Sequence, residues 1–543
     1  MNDSAKNTAA EYEHISADMF EFQQMNARIH DTKLQTKSRG YFKDAFLRFK
    51  KNKSSVVAAI IIGCLVLFAI FSPIITKAAL NHTINSRDNT YVNFAPYVEK
   101  IAKLNLGIFD GHRTQNSANQ LTIDMYNAIG QETGMSPIIG EPRAYTQTEK
   151  IRGQQVDVTY YSLKINSYFY IGVVDRNIDY ETFDKIQQFQ NETGLQVLYP
   201  VVNQVDAYVN EWSDLDAEAA ERLPVNSNLW YKVKDAKGNP VYDIAGNLIP
   251  AYCTDASKQG PVTYNSQRIE GDNGSYIYSM AKSGSLNVRV CYYNYYQFLQ
   301  WNTNADKSYH APCYLMGTNN MGQDLFCAIG VGARFSLVFA LLVSAINLTI
   351  GAIYGAIQGY YGGVIDLTLD RISDILSGVP FIVVATLFQL HLAEKVGSVP
   401  SFLFAFVLTG WIGMAALTRK QFYRFKSQEH ILAARTLGAG DWRLMFKHIF
   451  PNALGTIVTS CALVIPGVIG SETNLTYLGI INLSEFAGTS LGVLMQQGQI
   501  AMTASPHAMF FPSMFFALLM ISFNLFGNGL RDAFNPTMRG AEG

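Results

Sequence analysis

The stretch Gln428–Asn452, QEHILAARTLGAGDWRLMFKHIFPN, is the longest polar and basic interruption in an otherwise apolar second half of the chain. It lies between two apolar segments, Phe402–Leu417 and Ala453–Ile469. Ile431, Leu432, Ala434, Arg435 and Leu437 recur at three- and four-residue spacing, which predicts a short helix. Gly438-Ala439-Gly440 ends that helix, because glycine is conformationally permissive and a poor helix former. Asp441 is placed to cap a second helix starting at Trp442, and Pro451 closes the stretch. The expectation is a two-helix elbow between membrane spans, carrying Arg435, Arg443, Lys447 and His448. A basic loop between spans belongs in the cytoplasm by the positive-inside rule. Ala433 and Ala434 are small, so with the glycine turn they suit close approach by another surface. The elbow therefore reads as a docking element; an amphipathic loop lying on lipid headgroups is the alternative.

Outward from the elbow, the apolar runs predict about six transmembrane helices. They are Ser55–Ile75 (a span over 55–76), Phe335–Ile357, Ile375–Leu392, Phe402–Leu417, Ala453–Ile469 and Phe510–Phe526. The first is uncharged, and it is too long and too far into the chain for a cleaved signal peptide. Lysines and arginines from Lys33 to Lys53 precede it and place a cytoplasmic tail at 1–54. Within that tail Met19–Phe22 reads as a short surface helix or as flexible chain. The remaining charges agree: Ser471–Pro506, with acids Glu472 and Glu485, falls outside, and Arg531 and Arg539 fall in a cytoplasmic tail at 531–543.

Hydrophobic residues make up 48% of the 543 and charged residues only 16%, yet mean hydropathy is just +0.06. Spans and a large polar domain sharing one chain reconcile these values. Residues 77–314 are that polar part, expected as an extracellular α+β domain. Val156–Ile165 and Ser167–Val174 read as strands, Tyr180–Thr193 as a helix with Phe183, Ile186 and Phe189 at helical spacing, and Trp230–Lys234 with Pro240–Ile244 as a hairpin. A disulfide among Cys253, Cys291 and Cys313 is chemically allowed outside the cell, and free thiols are the other reading. The domain reads either as a module that docks or gates something extracellular, or as a spacer packed on the pore.

The residues then reach a family. Ala433-Ala434-Arg435-Thr436-Leu437-Gly438, with Pro451 thirteen positions beyond the glycine, resembles the coupling loop of bacterial ABC importer permeases. Leu432 stands where that motif has glutamate. Residues 315–334, expected as an interfacial segment, resemble the signature of the C-type dipeptide and oligopeptide permeases through Gly317, Thr318, Gly322, Asp324, Gly332, Ala333, Arg334, Ser336 and Leu337. Asn319 and Gln323 replace its usual acid and arginine, and Asp324 and Arg334 are expected to pair at the outer membrane face. Gly359–Asp366 with Arg371–Pro380, Glu472 with Leu475-Thr476-Tyr477-Leu478-Gly479, and Phe523–Pro536 with Asn524, Arg531 and Asp532 are similar to further family stretches.

The resemblance implies a type I ABC importer permease core at 335–530 with coupling loop 428–452. In that loop Ala433, Ala434, Arg435, Leu437, Gly438, Ala439, Gly440, Asp441 and Pro451 meet an ATPase. It implies a related second permease subunit, two ABC ATPase subunits carrying ATP and magnesium, an extracellular peptide-binding protein, and no cofactor on this chain. Glu472 is a candidate for the translocation path, because an acid beside a span usually faces a protein-lined or wet interior; packing at the outer mouth is its other reading.

The chain lacks the phosphate-binding loop Gly-x-x-x-x-Gly-Lys-Ser/Thr, having no Gly-Lys pair, and it lacks His-Glu-x-x-His. It is therefore not expected to be an enzyme. A net charge of −1 gives no field for nucleic acid. A peptide importer subunit is the leading reading. The same transporter with nickel-chelate or glycan cargo, and a membrane-anchored receptor or sensor, are the alternatives.

Overall fold

The computed structural model describes residues 41–104, 106–151, 154–199, 231–232, 250–251, 268–270, 276–280, 286–481, 483, 489–503 and 505–534. Helix α1 (Tyr41–Lys51) leads into α2 (Lys53–Leu80), whose cap Asn52 accepts from the Ser55 N–H at 3.4 Å. Helix α2 is apolar all round and leaves Ile60, Leu67, Phe71 and Ile75 exposed, as a helix meeting hydrocarbon does.

A polar α+β domain follows. Strands β1 (His112–Ala118), β2 (Arg143–Ile151) and β3 (Gln154–Asn166) form an antiparallel sheet in the order β1-β3-β2. Helix α3 (Gln120–Thr133) lays Ile123, Tyr126 and Ile129 over Leu163 and Ile165 of β3. In the second sheet β4 (Val173–Ile178) and β5 (Leu198–Tyr199) both pair with β6 (Leu286–Cys291). Helix α4 (Tyr180–Thr193) buries Phe183, Ile186 and Phe189, the three residues whose spacing announced it. Helix α5 (Tyr292–Thr303) packs beside it in a core rich in aromatics, including Tyr91, Phe94, Tyr168, Phe298, Trp301 and Tyr314.

Three expectations for this domain meet different outcomes. The strand expected at 167–174 begins only at Val173; the preceding residues turn, which buries Tyr168 and lets its hydroxyl donate to the Ala95 carbonyl at 2.7 Å. Tyr231–Lys232 pairs with Pro250–Ala251, and the hairpin partner expected at Pro240–Ile244 lies outside the described residues. Cys291 and Cys313 are free thiols, each pushed up to about 11 by burial; Cys253 lies outside the described residues.

Beyond the domain stand α6 (Leu325–Tyr361), α7 (Gly363–Ser377), α8 (Phe381–His391) and α9 (Ser398–Phe425). They are followed by α10 (Glu429–Thr436), α11 (Asp441–Tyr477), α12 (Leu491–Ile500) and α13 (His507–Phe534). Among the described residues five helices, α2, α6, α9, α11 and α13, are long and apolar enough to cross a membrane. The span expected at Ile375–Leu392 is instead a broken pair, α7 and α8, bent by 72°. Pro380 lies at the break: it carries no N–H, and it drives the residue before it away from helical angles. Leu325–Arg334, expected at the interface, is the first part of α6, and Ser471–Pro506 is more than a loop, because α12 folds back against α11 and α13.

Helix α6 is the common member, packing on α2, α9 and α11. Its Gly351 and Gly359 bring backbone against backbone: a Cβ at Gly351 would lie 2.7 Å from the Trp411 carbonyl oxygen, and one at Gly359 would lie 2.8 Å from that of Arg419. A Cβ at Gly355 would collide with the Ala415 carbonyl. We expect Gly355→Val to push α6 and α9 apart and lower thermal stability in detergent by about 1–3 kcal/mol, the range for overpacking. Gly413→Ala, where a Cβ meets nothing, should leave stability unchanged or raise it by up to about 1 kcal/mol. Equal melting temperatures for the two variants would refute the seam.

Candidate coupling elbow and the ends of the central helix

Helix α10 ends as the sequence requires. Gly438 adopts φ +84°, and the Ala439 N–H reaches back to the Ala434 carbonyl at 3.1 Å, closing the helix end. Ala439 and Gly440 then carry the chain into α11. Asp441 does not cap that helix, contrary to the expectation: Gly440 holds the cap position, and Asp441 is the first helical residue. Its carboxylate has another partner, accepting from the Tyr360 hydroxyl at 2.5 Å. Arg435 donates to the same hydroxyl at 3.2 Å and lies over the Tyr360 ring. Lys426 donates to the Gly359 carbonyl at 2.9 Å. Both sides of the elbow are thus tied to the last turn of α6.

Under these polar ties, Ile431, Leu444, Met445 and Ile449 are buried with Tyr360 and Phe422. The other face is bare. Leu437 is 88% exposed and Trp442 71%, and Leu432, Ala433 and Gly438 are exposed beside them. Pro451 does not close the stretch. It lies inside α11, preceded by a π-helical turn at Leu444–Ile449. The widened turn accommodates a proline that lacks an N–H and crowds the carbonyl four residues back.

At the other end of α6, Asp324 caps the helix, accepting from the Phe326 N–H at 2.9 Å. The expected pairing with Arg334 does not occur. Ten residues of helix separate the two by about 15 Å, and Arg334 is exposed. Asp324 instead meets Nδ1 of buried His82 at 3.0 Å, while Nε2 of His82 lies 2.6 Å from the Tyr296 hydroxyl of α5. Gly317 and Gly322 hold positive φ angles, and a Cβ at Gly322 would strike the Asp88 carbonyl. Thr318 Oγ1 donates to the Tyr91 carbonyl and accepts from the Phe94 N–H. Asn319 donates to the Gln323 side chain at 2.8 Å, so a neutral amide pair stands where the signature has an acid and an arginine.

The remaining candidates scatter. Arg419 of α9 bridges Asp366 at 2.6 Å and Asp370 at 2.8 Å on α7, and Tyr423 also donates to Asp366. Arg371 faces Asp374 at 3.3 Å on the surface. Asn524, Arg531 and Asp532 are exposed near the end of α13, where Gly529 packs on Ser55. Glu472 has no exposed surface, and its Oε2 accepts from Ser336 of α6 at 2.8 Å. Ser490 sits in a Gly-x-Ser-x-Gly spacing over 488–492, but it is buried as the cap of α12, its hydroxyl accepting from the Val493 N–H. That is a capping geometry, not an exposed nucleophile. Sequence reading missed His82, Tyr296, Tyr360 and Arg419. Only Tyr360 lay in a stretch it had singled out, and none carries a local pattern.

A family model described as binding-protein-dependent transport system inner membrane component matches residues 333–540. A second, the N-terminal TM domain of oligopeptide transport permease C, matches 40–96. The chain is 39% identical over 236 residues to an oligopeptide transport system permease protein of Bacillus subtilis, covering 44% of this chain and 75% of that one. The chain belongs to this permease family. A dipeptide transport system permease protein of the same organism is 36% identical over 41% of this permease and 68% of its own length. An oligopeptide permease protein of Haemophilus influenzae is 33% identical over 45% of this chain and 77% of its own. The MetNI methionine ABC transporter, solved in inward-facing conformations, is 16% identical over 38% of this chain and 96% of the matched chain, at a TM-score of 0.32. The permease is a multi-pass membrane protein, and residues 97–332, most of the polar domain, lie between the two family matches.

Tyr360 is the tie that the elbow geometry singles out. Tyr360→Phe removes its hydrogen bonds to Asp441 and Arg435 while keeping the ring, at a cost of about 1–2 kcal/mol. Amide exchange across Glu429–Leu437 should then accelerate by about 5- to 30-fold, with α3 and α4 of the polar domain unchanged. Unchanged exchange in the elbow would show that the hydroxyl does not hold it.

Proposed function

We propose that this permease forms half of the translocation pathway of an ATP-driven peptide importer. The observation that carries the proposal is the bare apolar face of Leu437 and Trp442 on an elbow bonded to the end of α6. Exposed large apolar side chains at a fixed turn mark a protein contact. Oligopeptide and dipeptide permeases as relatives support peptide cargo.

On this reading the partner at the elbow is an ABC ATPase subunit, one on this chain and one on a related second permease. ATP and magnesium reside on those partners, and this chain contributes no catalytic group. The basic elbow lies in the cytoplasm, as do both termini. Helix α6 runs about 55 Å over its 37 residues, so the polar domain capping its other end stands outside the cell. There it meets the extracellular peptide-binding protein. Closure of the ATPase dimer moves the elbow, and α6 and α11 turn with it. The two states of the transporter differ in the contacts made at that handle.

Gly438→Val tests the handle. The site has open space for a side chain, yet φ +84° strains any β-branched residue there. We expect the complex to assemble and hydrolyse ATP while peptide uptake is lost. Uptake at the wild-type rate would reject the hinge, and failure of ATPase subunits to co-purify with the wild-type chain would reject the partnership.

A further inference from the structure

A cavity of about 380 Å³ lies among α6, α8, α9 and α11, lined by Asn347, Phe381, Phe406, Thr409, Gly467 and Ser471 among others. Asn347 is about 33 Å along α6 from Leu325, and Gly467 is about 39 Å along α11 from Asp441, so both sit deep within spans. Three features set the cavity apart from an ordinary packing gap. Asn347 is 1% exposed, and its Oδ1 has no hydrogen-bond partner. Such a group costs about 1–3 kcal/mol unless something satisfies it. Gly410 makes room for that amide, since a Cβ there would run into the Asn347 side chain.

Gly467 is exposed, and a Cβ on it would meet nothing within 4 Å. The glycines of α6 are needed for helix contact; this one is not, although glycine costs about 1 kcal/mol in a helix interior. Beside it, Pro466 has no N–H, which leaves the Ala462 carbonyl without its helical donor. The lining therefore brings an amide and two hydroxyls together with two phenylalanines.

We propose that this cavity is the waist of the cargo passage, with Asn347 offering its amide to the main chain of a passing peptide and Gly467 keeping the waist open. The inference rests on the peptide-importer reading and adds the residues that face the cargo. A peptide crossing the membrane carries N–H and C=O groups that lose water on the way. A side-chain amide matches both kinds of group whatever the peptide's sequence. Aromatic walls accept varied side chains without demanding one.

The test uses the complete transporter in its host cells, with tri-alanine and hexa-alanine as cargo. Gly413→Ala, which lies outside the cavity lining and where a Cβ meets nothing, should transport both. Gly467→Phe starts from a position where a Cβ meets nothing within 4 Å, so subunits should still co-purify, and hexa-alanine uptake should fall to background. Asn347→Leu should weaken uptake about tenfold, the equivalent of one hydrogen bond of about 1.4 kcal/mol. As a readout independent of cargo, Gly467→Cys should react with a water-soluble maleimide above the wild-type background in at least one nucleotide state. Wild-type hexa-alanine uptake by Gly467→Phe, or a Gly467→Cys variant whose new thiol is unreactive in every state, overturns the waist. Absence of peptide uptake by the wild-type chain, with the thiol of Gly467→Cys reactive, faults the peptide reading and leaves the passage standing.

Discussion

Backbone pressed on backbone along α6 and α9 is the constraint from which the rest of the molecule takes its shape. Gly351, Gly355 and Gly359 lie on one face at four-residue spacing, and the carbonyls of Trp411, Ala415 and Arg419 occupy the space their side chains would need. The side-chain atoms that share this seam, the Cβ atoms of Met414, Thr418 and Phe422, are fixed to the backbone and cannot swing aside, so the pair cannot shear without collision. Helix α6 is therefore a stiff member with something fastened at each end. His82 and Tyr296 hold the polar domain at Asp324, and Asp441 and Arg435 hold the elbow at Tyr360. Force applied at the elbow reaches the spans because the ties are to backbone-packed helix and not to loop.

The elbow was legible because its determinants are local. A helix, a glycine with a left-handed backbone and a restart follow each other within about one dozen residues, and each is written in residue type. What went wrong there has the same origin. Asp441 has the chemistry of a cap, but a tyrosine 81 positions earlier in the chain claims its carboxylate. Pro451 has the chemistry of a helix stop, yet a π turn absorbs it. At the far end of α6, reading Asp324 with Arg334 assumed nearness in sequence. Helical rise separates the two, and the partner, His82, is 242 residues away. Ion pairs across such distances leave no periodic trace. The broken span, by contrast, was written in the sequence as Gly378-Val379-Pro380, and a reading by hydropathy alone passed over it.

The polar domain was legible in class and not in layout. Helix α4 announced itself by Phe183, Ile186 and Phe189, whereas the strand beginning at Val173 was placed too early. Strand β6 pairs with β4 across more than a hundred residues, and no hairpin turn signals that pairing. The turn before β4 exists to seat Tyr168 among Tyr91, Phe94 and Tyr314, a cluster assembled from separate stretches of the chain. Asn93 bonds through its backbone to Asn319 and Ser505, and Phe94 bonds to Thr318, so the domain is joined to the spans over several contacts. A body fastened in that way moves with α6 when α6 moves.

Two buried polar groups inside the spans differ in what they border. Glu472 is the family signature's acid and the natural first candidate for touching cargo. It is fully buried, however, and binds Ser336 across the seam between α11 and α6. That arrangement fastens two helices together and gives cargo no access while the seam is closed. Each keeps one oxygen without a partner, Oε1 in Glu472 and Oδ1 in Asn347, but of the two only Asn347 borders the open volume of the cavity. The chemistry favours the same division. A fixed carboxylate in a low-dielectric passage would attract cationic peptides and repel anionic ones by several kcal/mol, whereas an amide is indifferent to net charge. A transporter that must pass many side chains is better served by recognising what all peptides share, the main chain, and by keeping its charges in the joints.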